Sequence, residues 1–166
     1  MAENVRLAHT AALCMHKRGD AEGAVRAYTA TLRIDAGFVE AYIGRGNAFI
    51  DMPGDHGLGL AIRDFARAIH LLPTCQPAYV NMAYAMQHQG RLKRAFTILS
   101  QGLGFAPHSV MLREARGVVN LQLSRFGPAI SDFGHAIALA PSAELHNNRG
   151  VAHVYAGSKV CAGTVP

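Results

Sequence analysis

The residues best suited to chemistry in this 166-residue chain are nine histidines and three cysteines, potential metal ligands, bases or nucleophiles. His9 and His16 stand seven residues apart, which places them on one helical face, and they flank Cys14, which lies off that face. His146 and His153 repeat the interval with no cysteine nearby. A metal needs three or four such side chains converging on one point, and these pairs are dispersed along the chain. No His-Glu-x-x-His, Cys-x-x-Cys or Gly-x-Ser-x-Gly occurs. The stretch from Gly54 to Gly59 is glycine-rich, but it lacks the Gly-Lys-Ser/Thr ending of a phosphate cradle and no strand precedes it. It is expected to form a flexible turn. The sequence therefore predicts no catalytic residue, no metal site and no cofactor, and the chain is expected not to be an enzyme.

Composition narrows the remaining classes. Hydrophobic residues make up 50% and charged residues 16%, as in a folded chain rather than a disordered one. The net charge of +5 comes from scattered arginines, with no basic run longer than Lys17-Arg18 or Lys93-Arg94. Scattered basicity is no footprint for nucleic acid. The N-terminus has no apolar core of a secretion signal, and nowhere do enough apolar residues run together to span a membrane. Cys14, Cys75 and Cys161 are odd in number and irregular in spacing, which fits a reducing, cytoplasmic compartment better than a disulfide framework.

The elements that would position any functional side chain follow from a period. Pro73, Pro107 and Pro141 are 34 residues apart, as are Ala61, Ala95 and Ala129, and Phe65, Leu99 and Phe133. That interval marks a helix–turn–helix repeat. Antiparallel helices approach closely only where a small residue sits at the crossing. Ala12, Gly46, Ala83, Gly117 and Gly150 take that place in successive first (A) helices, and Ala24, Ala61, Ala95 and Ala129 take it in the second (B) helices. Tyr28, Phe65, Leu99 and Phe133, four residues after each alanine, share its face and fill the space left. The proline then ends each B helix.

On these residues the chain resembles the tetratricopeptide repeat family along nearly its whole length. The three-residue excess in the second repeat, at Met52–Leu60, and the 33-residue step from Gly117 to Gly150 resemble the long arrays of animal members. The resemblance implies an all-α, right-handed superhelical array, a solenoid of antiparallel helix pairs over residues 1–157. Its repeats are expected at about 5–38, 39–75, 76–109 and 110–142, with a partial one at 143–157 and an irregular tail at 158–166. It further implies a non-catalytic scaffold whose A helices line a concave face for a peptide or helix of a partner protein, and it extends to a ciliary association. The side chains expected on that face are Ile43, Asn47, Ile50, Val80, Tyr84, Gln87, Met111, Glu114, Val118 and Leu121. For Val80, Met111 and Val118, packing between neighbouring A helices is an equal alternative.

Chaperone-binding members grip a terminal carboxylate with a clamp of lysine, asparagine and arginine. The matching places here hold Arg6, Thr10, Gly44, Pro77 and Asn81, or Glu40, Gly44, Asn81, Met111 and Ala115, which cannot supply those cations. A chaperone-tail partner is therefore not expected. An RNA-binding helical repeat is the first rival, but Tyr84 is the lone aromatic on the expected face and the arginines are scattered. The second rival is a truncated isoform without a role of its own. After Gly157 no Ala-x-x-x-aromatic follows, so the array is expected to be cut there, the alternative being that residues 143–156 form a natural cap.

Overall fold

A computed structural model describes residues 2–54 and 56–162, with side chains over 3–54 and 56–157. Among the described residues there are α-helices and no strands. The A helices are α1 (Ala2–Lys17), α3 (Val39–Asp51), α5 (Gln76–His88), α7 (Val110–Gln122) and α9 (Ala143–Ala162). The B helices are α2 (Ala21–Ile34), α4 (His56–Leu71), α6 (Leu92–Phe105) and α8 (Phe126–Leu139). They form two compact units, Met1–Gln89 with α1 to α5 and Gly90–Pro166 with α6 to α9. Within each unit every helix packs on the next, and A helices also touch one another: α1 with α3, α3 with α5, α7 with α9.

The small-residue crossings are as the period requires. Ala12, Ala24, Ala61 and Ala129 are fully buried, as are Tyr28, Phe65 and Phe133. A Cβ placed on Gly46 would lie 2.6 Å from the Phe65 ring, and one on Gly117 would lie 2.6 Å from the Phe133 ring. Each ring thus lies flush on a bare backbone. Burying one such ring stabilises the fold by about 1.5–3 kcal/mol.

Each B helix after the first ends two residues before its proline, at Leu71, Phe105 and Leu139. The residue in front of Pro107 or Pro141 leaves the helical region, with φ −133° and ψ 73° at Ala106 and an extended φ −152° and ψ 97° at Ala140. Repeat one lacks the proline, yet Asp35 is extended like Ala140 (φ −140°) and its Oδ1 accepts from the Gly37 N–H at 2.8 Å. The following A helix then holds the turn by a side chain. Tyr42 Oη donates to the Ala36 carbonyl at 3.2 Å, Tyr79 Oη to Pro73 at 3.0 Å and Arg113 Nη2 to Pro107 at 2.8 Å.

Two segments depart from expectation. The glycine-rich stretch is a turn only at its start, where Gly54 has φ +90°, since α4 begins at His56 and takes in Gly57 and Gly59. A Cβ at Gly57 would collide with the Phe49 carbonyl, so this glycine lets the start of α4 press against the end of α3. The excess of the second repeat therefore goes mostly into a longer helix, 16 residues in α4 against 14 in α2. At the other end, α9 continues past Gly157 to Ala162, where an irregular tail is expected. Residues 158–162 contain neither glycine nor proline, so nothing in them stops the helix. The remainder of that tail, 163–166, lies outside the described residues.

Candidate functional site

In the first unit, α1, α3 and α5 lie side by side, and α3 and α5 carry most of the side chains expected to bind a partner. Asn47, Ile50 and Tyr84 come together with His16, Asp51 and Asn81 around a cleft of about 330 Å³. Asn81 Nδ2 donates to Asn47 Oδ1 at 2.8 Å, tying α5 to α3. That bond leaves the Asn81 carbonyl and the Asn47 amide group with further capacity to accept and donate. His16 Nε2 lies 2.7 Å from Asp51 Oδ2, closing one end of the cleft across α1 and α3. Tyr84 is 47% exposed, and its ring lies 4.4 Å from that of His88, one turn along α5.

The other expected residues are placed differently. Ile43 packs with Ile69 over Ala68, Cys75 and Ala78, so it serves the core as well as the face. Val80 and Gln87 are half-buried on α5. In the second unit, Met111 is exposed, whereas Val118 and Leu121 pack against the cluster around Phe133, Leu145 and Ala152. Half-buried Glu114 has its pKa raised, first by burial and then by Glu144 on the neighbouring α9.

A set of polar residues not anticipated from the sequence holds the A helices in place. Arg45 donates to both carboxylate oxygens of Asp64 in the same repeat and to Thr29 Oγ1 in the repeat before, the last at 3.1 Å. Arg116 does the same with Asp132 and with Ser100 Oγ, and Asn120 Nδ2 adds a third donor to Asp132 at 3.0 Å. The two carboxylates are buried, and donating its hydrogen bonds to Asp64 raises the pKa of Arg45. The available signal was register: Arg45, Asp64 and Thr29 recur as Arg116, Asp132 and Ser100 at matching repeat positions.

These arrangements present hydrogen-bonding and apolar surface, and among the described residues no three His, Cys, Asp or Glu side chains gather as metal ligands. No described helix is long and apolar enough to cross a membrane.

No family model matches the chain. It is 33% identical over 156 residues to the human protein named Tetratricopeptide repeat protein 6, a stretch covering 94% of this chain and 30% of that relative. The chain thus spans under a third of that relative's length. Among solved structures it is similar to the MamA protein, with TM-score 0.75 and 21% identity over 95% of this chain and 85% of that one. It is also similar to YrrB, described as a TPR protein with an unusual peptide-binding site, with TM-score 0.66 and 18% identity over 90% of this chain and 76% of that one. At such identities the likeness to the solved structures is one of fold.

Proposed function

The chain belongs to the tetratricopeptide repeat family, and from that premise we propose that it is a non-catalytic protein-interaction module that binds an extended segment of a partner on the A-helix face of its first unit. The observation that carries this reading is the cleft between α1, α3 and α5, where two linked asparagines stand beside an exposed tyrosine. An extended peptide has unpaired backbone N–H and C=O groups, and amide side chains can serve both. Tyr84 and Ile50 offer apolar area to a peptide side chain. YrrB, a fold neighbour, is described as having a peptide-binding site, which gives the reading a precedent in the same architecture. A reducing cytoplasmic setting is part of the proposal, supported by the free thiols of exposed Cys14 and buried Cys75.

The test is selection of binding peptides from a displayed library against the purified chain, followed by affinity measurement on two variants. Tyr84→Ala and Asn81→Ala should each weaken the selected peptides while leaving the melting temperature close to that of the parent. Peptides that bind both variants as tightly as the parent would remove this face as the site.

A further inference from the structure

The dipeptide Arg-Gly occurs at one register of three A helices: Arg45-Gly46 in α3, Arg116-Gly117 in α7 and Arg149-Gly150 in α9. In the first two it meets the dipeptide Asp-Phe of the following B helix. The phenylalanine ring seats on the glycine, and the aspartate beside it takes the guanidinium through two hydrogen bonds. The pairing joins steric and charge complementarity, two residues against two. In α9, nothing lies within 4 Å of where a Gly150 Cβ would be, and no carboxylate pairs with Arg149 among the described residues. Beside them runs an apolar hollow of about 420 Å³ lined by Asn147, Gly150, Val151, Val154 and Tyr155.

We propose that this face of α9 docks one amphipathic helix of a partner protein carrying Ala-x-x-Asp-Phe, with its phenylalanine on Gly150 and its aspartate on Arg149. The occupant's chemistry follows from the two filled copies of the notch. A ring must enter a gap left by a missing side chain, and a carboxylate must stand next to it in sequence to reach the adjacent arginine. The alanine four residues before the ring is required because the helix axes approach closely, as at fully buried Ala61 and Ala129. Arg149 and Gly150 are not among the contact residues of the cleft in the first unit, so the two sites stand or fall separately.

The probe is a fluorescein-labelled, helix-stapled peptide with the sequence of residues 126–139, titrated with the full chain and followed by anisotropy. Saturable binding is expected, weakened at least about tenfold by Arg149→Glu and by Gly150→Leu, which fills the notch. Gly150→Leu points into open space and replaces a helical glycine, so retained helicity by circular dichroism is expected for that variant. A peptide with lysine in place of its aspartate should lose binding to the parent and regain part of it on Arg149→Glu. Absence of saturable binding, or equal binding to the parent and both variants, overturns the proposal. So does self-association of the chain that Gly150→Leu abolishes, since the occupant would then be a second copy.

Discussion

Arg45 and Asp64 meet side by side, with Nε 2.7 Å from Oδ2 and Nη2 2.8 Å from Oδ1, and the same guanidinium reaches back to Thr29. One arginine thus joins α2, α3 and α4. At the matching positions the third repeat carries Met82 and Ile98 and the repeat before it Ala66, all apolar, so the family of positions has two solutions, one ionic and one greasy. Removing one partner of a buried pair leaves an uncompensated charge, whereas replacing the set by apolar residues of similar size is often neutral.

Asp64→Ala is therefore expected to destabilise the chain by about 3 kcal/mol. The triple substitution Thr29→Ala/Arg45→Met/Asp64→Ile should restore stability to near the parent value. Urea unfolding of the parent, single and triple variants checks this, and a triple variant no better than the single one would refute it.

Glycines at one register are expected to respond with opposite sign. Gly117→Ala drives a methyl group into the Phe133 ring and should cost about 1–3 kcal/mol. Gly150→Ala meets none of the described residues and should stabilise α9 by up to about 1 kcal/mol through helix propensity. Melting temperatures of the two variants, measured side by side, decide the matter.

Tyr28 is fully buried, and its hydroxyl has no hydrogen-bond partner among the described residues, while burial pushes its pKa up. Phenylalanine stands at this place in repeats two and four. Tyr28→Phe should therefore raise stability by about 1 kcal/mol, the cost of an unsatisfied buried hydroxyl being about 1–3 kcal/mol. An unfolding midpoint lower than that of the parent would mean that the hydroxyl is satisfied in solution.

Helix starts differ in their caps. At α2, Asp20 Oδ1 accepts from the Gly23 N–H at 2.7 Å, but Arg91, the residue before α6, makes no capping bond through its side chain. A cation there also opposes the positive end of the helix. Arg91→Asp is expected to stabilise by about 1 kcal/mol, with Arg91→Ala gaining less. Chemical denaturation of both variants separates capping from the removal of charge.

The raised pKa of Glu114 has a pH consequence with a definite sign. The folded state binds this proton more tightly than the unfolded state, so stability falls as pH rises from the ordinary value of 4.5 through the folded one. Glu114→Gln should therefore gain melting temperature over the parent at neutral pH and lose that advantage in acid. An equal advantage at both ends of the titration would assign the effect to packing instead.

Much of the fold was legible because the burial pattern repeats. A period of 34 locates the buried alanines Ala24, Ala61, Ala95 and Ala129 and the rings of Tyr28, Phe65 and Phe133, since the same helix crossing recurs and admits only small residues. What the period concealed is whatever differs between repeats. Gly57 reads as turn chemistry until the Phe49 carbonyl is seen against it, and a local pattern cannot show a neighbour from another helix. The lock of Arg45, Asp64 and Thr29 was missed for a related reason. Its three members lie on three helices, and only superposing repeats of unequal length aligns them with Arg116, Asp132 and Ser100. On the A-helix face, side chains at one register differ in exposure. Val118 is drawn into the Phe133 cluster, while Tyr84, at the same place in the third repeat, stays exposed.

The turn carbonyls of Ala36, Pro73 and Pro107 are held by a phenol, a second phenol and a guanidinium. The restraint depends on where a donor ends, not on which residue carries it. These positions are therefore expected to accept any long side chain whose terminal donor reaches the carbonyl. Duplicated repeats can lose their resemblance to one another in this way while the backbone they inherit stays unchanged. Each drifted copy then exposes its own side chains, which lets one ancestral unit diversify into many recognition surfaces.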